Sequence, residues 1–183
     1  GIGVFLDAAQ ELARRREDVG FVVVGDLPVG STHATLDGYR AEAARRGLEN
    51  RLAFTGFRDD AAAVMEELDV LAVPSIRPDP CPRVVLEGLG KGTPVVGADC
   101  GGIAETIREG ETGLLATPGD AADLVRQIER VLDDPELAAR IGESGRRSAR
   151  EEFSAAVVSR RVQEVLWEAA GGEGGGDGRR KRH

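Results

Sequence analysis

Pro74-Ser75-Ile76-Arg77-Pro78-Asp79-Pro80-Cys81-Pro82-Arg83-Val84-Val85-Leu86-Glu87-Gly88 joins a strand end, a rigid loop, a helix start and two carboxylates. The apolar run before it, Val70-Leu71-Ala72-Val73, suits a buried parallel strand, and Pro74 with Ser75 ends that strand. Pro80 and Pro82 push Asp79 and Cys81 toward extended backbone, so the loop is stiff before any ligand arrives. Pro82 fits the first helical position, where its missing N–H costs nothing. The amides near Arg83, Val84 and Val85 then point, unpaired, above the strand end. A helix start of this kind attracts phosphate, which predicts a site for a phosphorylated ligand.

Outward from this stretch the pattern alternates. Phe5, Ala8, Ala9, Leu12 and Ala13 recur at helical spacing, and Phe21 to Gly25 forms a short apolar strand. Leu36, Tyr39 and Ala43 mark a second helix, Leu52 to Gly56 a second strand, and Ala61, Val64, Met65 and Leu68 a third helix. After Val70 to Val73 come a helix from about Pro82 to Lys91, a strand Pro94 to Gly97, a short helix near Ile103 to Arg108, and a strand Gly113 to Ala116. Repeated βα units predict an α/β fold, a Rossmann-like parallel sheet with helices on both faces. Beyond Gly119 the pattern is helical, with Asp120, Asp134-Pro135 and Ser154 as helix starts and Val158, Val162, Val165 and Leu166 on the last helix. Residues 170–183, Gly-rich and then basic, are expected to be a flexible tail.

Composition narrows the function classes. The 183 residues suit one α/β domain and are too few for two nucleotide-type domains. A net charge of −8 disfavours general nucleic-acid binding. Cys81 and Cys100 are too few for a disulfide framework, and neither a signal peptide nor a spanning apolar run occurs, so a reducing, cytoplasmic setting is expected. The first residue is Gly and the only Met is Met65, so further sequence is expected upstream. Gly90-Lys91-Gly92-Thr93 precedes a strand and has the wrong spacing for a P-loop. No G-x-G-x-x-G follows a strand, and no His, Cys or carboxylate cluster has metal-ligand spacing; neither a metal nor a resident cofactor is expected.

Asp79 and Glu87 have seven residues between them and are followed by Gly92-Thr93-Pro94-Val95-Val96-Gly97 and Gly101-Gly102-Ile103-Ala104-Glu105. With Val22-Val23-Val24-Gly25-Asp26, Leu52-Ala53-Phe54-Thr55-Gly56-Phe57 and Gly110-Glu111-Thr112-Gly113-Leu114-Leu115, these motifs resemble the C-terminal, donor-binding half of retaining glycosyltransferases of family 4, which have the GT-B fold. The resemblance runs from residue 1 to about residue 169. The family pattern is Glu, seven residues, Glu; here the first member is Asp, one methylene shorter.

The resemblance implies that Glu87 hydrogen-bonds the ribose of a nucleotide sugar and that Asp79 holds hydroxyls of the donor sugar. It implies that Gly25, Asp26, Phe57 and Arg58 line the nucleotide, with the base near Phe57 and Arg58. Cys81, Pro82, Arg83, Val84 and Val85 would surround the diphosphate, with Arg83 either steering it or simply solvated. Gly101 and Gly102 serve either close approach of the ligand or the turn before a helix. The implied reaction moves a sugar from a nucleoside diphosphate to an acceptor hydroxyl without an enzyme nucleophile. A basic pair on the first strand's loop, the first strand itself and an acceptor-binding N-terminal domain would all lie upstream of Gly1, and the last helix would return toward that domain. Membrane contact, if any, would come through the parent protein at the inner membrane face. A catalytically silent nucleotide-sugar-binding module and a GT-B nucleotide-sugar epimerase are the alternatives. By the same resemblance the strands are the second to sixth of a sheet ordered 3-2-1-4-5-6.

Overall fold

The computed structural model describes residues 1–26 and 35–170. His33 and the tail expected over 170–183 lie outside them, apart from Ala170. In chain order the elements are α1 (Ile2–Arg15), β1 (Phe21–Val24), α2 (Leu36–Arg45), β2 (Leu52–Gly56), α3 (Ala61–Glu66), β3 (Leu71–Val73), α4 (Arg83–Lys91), β4 (Val95–Ala98), α5 (Gly102–Thr106), β5 (Leu114–Ala116), α6 (Ala121–Asp133), α7 (Pro135–Glu152) and α8 (Ala155–Ala169). All strand pairs are parallel: β1 with β2, β3 with β4, and β4 with β5.

β4 is the centre of the larger sheet and is buried along its whole length. Its Val95 and Val96 are wholly shielded from solvent, and each such side chain contributes roughly 1.5–3 kcal/mol of apolar burial. One face of that sheet packs Val96 and Leu114 with Leu124, Val125 and Ile141 of α6 and α7. The other packs Val73 and Val95 with Val85 and Leu89 of α4 and with Ile103 and Ile107. Gly88 permits the closest approach on that side, since a Cβ there would lie 2.4 Å from Leu71 Cδ2. α1 covers the smaller sheet through Leu6 and Ala9, joined by Leu48 and Leu52.

The two sheets are separate ladders, ordered β1-β2 and β3-β4-β5. Between β1 and β3 run two cavities, of about 320 Å³ and about 490 Å³. The first is walled by Val22, Val23 and Val24 on one side and Leu71, Ala72 and Val73 on the other, the second by Phe21 and Val22 facing Val70 and Leu71. The two strands therefore flank one slot in the same direction, and the three pairings agree with the order 3-2-1-4-5-6. Gly1 packs against the Pro74 carbonyl, at the end of β3 where this slot opens.

Several boundaries differ from the sequence expectation. Pro82 is the N-cap of α4 rather than its first helical residue: its φ of −72° suits a helix, but its ψ of 93° is extended. Asp120 and Asp134 cap α6 and α7 by accepting from the Asp123 and Leu137 amides, whereas Ser154 precedes α8 without a side-chain capping bond. α8 buries no residue, and Val158, Val162, Val165, Leu166 and Trp167 are exposed.

Candidate functional site at the strand ends

The predicted residues gather at the carboxyl ends of four strands, where open α/β sheets bind ligands. Just past β1, the Gly25 amide donates to Gly56 O at 2.9 Å at the end of β2. Both glycines have positive φ, 115° and 71°, a conformation side chains disfavour, so this turn chemistry accounts for them without a ligand. Asp26 follows, exposed. Beyond β2, Phe57 is 78% exposed. Arg58 Nε donates to Asp60 Oδ1 at 2.7 Å, and the Arg58 guanidinium holds the Asp60 carboxyl below its ordinary range.

Beyond β3 the Ser75–Pro82 loop leads to α4. Asp79 and Cys81 are exposed, while Pro82 and Val85 are buried and Val84 is half-buried. The Arg83 and Val84 amides have no acceptor among the described residues. The Val85 amide, expected to be unpaired, instead donates to Pro82 O at 3.0 Å, because the first turn of α4 closes tightly on its N-cap. The Cys81 amide likewise donates to Asp79 Oδ1 at 2.9 Å. The first turn of α4 holds no acid and one Arg. That leaves its positive end open to an external anion. One turn on, Glu87 is exposed and its Oε1 lies 3.1 Å from Arg83 Nη2.

Beyond β4, the turn at Gly101 and Gly102 is pressed against the same loop. Gly101 has φ 53°, and a Cβ there would lie 2.9 Å from both Asp79 N and Asp79 O. A Cβ on Gly102 would lie 2.5 Å from Pro80 O, and the Gly102 amide donates to Asp79 O at 2.7 Å. The space left by these glycines is thus occupied by protein backbone. Cys100, which sequence reasoning did not place at the site, adds Sγ contacts of 3.6 Å to Ser75 O and 3.8 Å to Arg77 O. Its only signal in the sequence is its position beside the glycine pair.

A family model described as glycosyl transferases group 1 matches residues 1–148. Over 132 residues the chain is 42% identical to the 2-deoxystreptamine glucosyltransferase of Streptomyces kanamyceticus, a match covering 71% of this chain and 32% of that protein. It is 34% identical over 145 residues to the alpha-D-kanosaminyltransferase of the same organism, covering 79% and 36%. The crystal structure of Anabaena Alr3699/HepE in complex with UDP aligns with a TM-score of 0.84 at 30% identity, covering 92% of this chain and 45% of that one. The same protein is solved with UDP-glucose. The chain thus spans about a third of the length of the two curated relatives. With the α/β architecture of the C-terminal domain of a GT-B glycosyltransferase, the chain belongs to the family of group 1 glycosyl transferases.

Proposed function

We propose that this chain is the donor-binding part of a retaining glycosyltransferase of family 4, which transfers a sugar from a nucleoside diphosphate to an acceptor hydroxyl. The observation that carries this is the grouping around the start of α4: two free amides, Arg83 and Val84, with a carboxylate on the loop before them and another one turn into the helix. Amides and a cation suit the diphosphate, and the carboxylates suit the hydroxyls at either end of it. Glu87 is assigned to the ribose and Asp79 to the donor sugar. Gly25, Asp26, exposed Phe57 and Arg58 are assigned to the nucleoside side.

Catalysis by such a site is positioning together with stabilisation of the departing diphosphate, and it asks for no nucleophile. Cys81 is therefore a wall residue. We assign the diphosphate charge to amides and cations rather than to a metal. The solved relative's complexes make UDP-glucose the first donor, and UDP the first nucleotide, to test here. The acceptor is assigned to sequence outside this span. No helix among the described residues is long and apolar enough to cross a membrane. Two free thiols fit a reducing cytoplasmic compartment.

The test is transfer by the full-length enzyme from an α-linked UDP-sugar, with the product followed by NMR. An α-linked product supports a retaining transferase, and a β-linked product contradicts it. A second proposal, a silent nucleotide-sugar-binding module, is favoured by one observation: Asp79 stands where the family has Glu, and one of its oxygens is already engaged by Cys81 N. Donor binding without turnover on any acceptor supports that alternative.

A further inference from the structure

Asp79 is held twice by its own surroundings. Its Oδ1 accepts from the Cys81 amide at 2.9 Å, closing a ring over Pro80, and its main-chain oxygen accepts from the Gly102 amide at 2.7 Å. Prolines flank it on both sides, at positions 78 and 80. The glycine turn leaves no room for the loop to shift toward β4, since a Cβ on either glycine would collide with Asp79 or Pro80 backbone. The second carboxylate oxygen, Oδ2, has no partner among the described residues.

We propose that Asp79 is a positioning residue for the start of α4 as well as a ligand for the sugar, with Oδ1 pinning the loop through Cys81 N and Oδ2 left to meet a hydroxyl. This rests on the proposed function and deepens it. An aspartate two residues before the amide it binds closes a short ring, as Asx side chains do in turns. A glutamate sets its carboxylate one methylene further out and does not close that ring. The shorter acid is then what keeps the Arg83 and Val84 amides in place. Restoring the family's glutamate should weaken nucleotide binding here rather than improve it.

Three variants of the full-length enzyme separate the two jobs. Asp79→Asn keeps an acceptor oxygen at the same reach, Asp79→Glu keeps the charge but not the reach, and Asp79→Ala keeps neither. Two measurements are taken on each: hydrogen–deuterium exchange of peptides covering 75–82 and 100–104 without nucleotide, and UDP affinity by calorimetry. Prolines 78, 80 and 82 leave amide hydrogens in 75–82 only on Ser75, Ile76, Arg77, Asp79 and Cys81, so the change in exchange between variants isolates the Cys81 bond. The expected result is slow exchange in wild type and Asp79→Asn, and fast exchange in Asp79→Glu and Asp79→Ala. UDP binding should stay near wild type in Asp79→Asn and fall by about threefold to tenfold in the other two.

Equal protection in wild type and Asp79→Glu, or loss of protection in Asp79→Asn equal to that in Asp79→Ala, overturns the positioning role. The expected exchange pattern with no UDP binding even by wild type leaves the positioning role standing and removes the nucleotide-binding function instead. Melting curves accompany each variant, and a global loss of structure would show as fast exchange throughout the chain rather than in these two peptides alone.

Discussion

Arg83 Nη2 sits 3.1 Å from Glu87 Oε1, so the cation at the first position of α4 is paired with the carboxylate assigned to the ribose. The pair is solvent-exposed and runs cation first along the helix, the weaker order for an i,i+4 contact, so its contribution to stability is small, about 0.3 kcal/mol. A cation at a helix N-terminus also opposes the helix dipole. Both features make sense if the guanidinium serves an anion at that end.

Arg83→Ala should therefore leave the melting temperature almost unchanged while weakening UDP binding by about threefold to tenfold. The loss should shrink as salt is raised, because an exposed charge is screened. Calorimetry at low and at high ionic strength checks both. Binding that is unaltered at low salt would assign Arg83 to the solvent.

Gly102→Ala tests the seat of the loop. Its new Cβ would lie 2.5 Å from Pro80 O and 2.9 Å from Asp79 O, so the loop must move away from α5. Overpacking of this kind costs about 1–3 kcal/mol. Chemical denaturation should show the loss, and UDP affinity should fall with it. Wild-type stability together with wild-type affinity would show that the loop relaxes without consequence.

The strands and the start of α4 were legible because each rests on local pattern. Apolar runs bounded by Gly or Pro located every strand to within about a residue, and Pro82 located α4 to within one. The Arg83–Glu87 pair was not read from the sequence, although its i,i+4 spacing on one helix carries it. The hold of Cys100, Gly101 and Gly102 on the 75–80 loop was not legible. It joins segments more than twenty residues apart, and glycine at a strand end is equally explained by a turn. The apolar spacing of α8 was plain in the sequence, but spacing does not tell which surface covers the face. The slot between β1 and β3 followed from the strand order implied by resemblance, not from periodicity.

Asp123 links β5 to α6 and predicts a pH effect away from the site. The Thr117 amide and hydroxyl donate to its Oδ2 at 2.8 and 2.6 Å, and these bonds hold its carboxyl below the ordinary aspartate range. A depressed folded-state value means the stabilisation is complete above the unfolded value, near pH 4, and is lost as pH falls through the folded one. Asp123→Asn should cost about 1–3 kcal/mol at pH 7, and the difference from wild type should narrow below about pH 4. A constant difference from pH 7 to pH 3 would contradict the role of the ionised carboxylate.

The slot between β1 and β3 predicts a folding behaviour. Both facing strands present apolar walls and edges that pair with no strand among the described residues, and such edges promote association. Residues 1–183 expressed alone should be poorly soluble or partly unfolded and should transfer no sugar. A strand supplied between β1 and β3, parallel to both, should restore a cooperative melt and nucleotide binding. A monomeric, cooperatively melting chain of these residues alone would contradict the strand order.

The central claim is that the start of α4 and Glu87 bind a nucleotide-sugar donor, and calorimetric titration of UDP-glucose into wild-type and Glu87→Ala full-length enzyme tests it most directly. Wild type should bind with a dissociation constant of about 1 μM to 1 mM, the span of usual KM values, which approach dissociation constants when chemistry is slow. Glu87→Ala should bind about tenfold to a hundredfold more weakly, the equivalent of roughly 1.5–3 kcal/mol for a charge-assisted hydrogen bond. Superimposable titrations of the two proteins would remove Glu87 from the site, and absence of binding to UDP-glucose and to every other nucleoside diphosphate sugar would contradict the donor site itself.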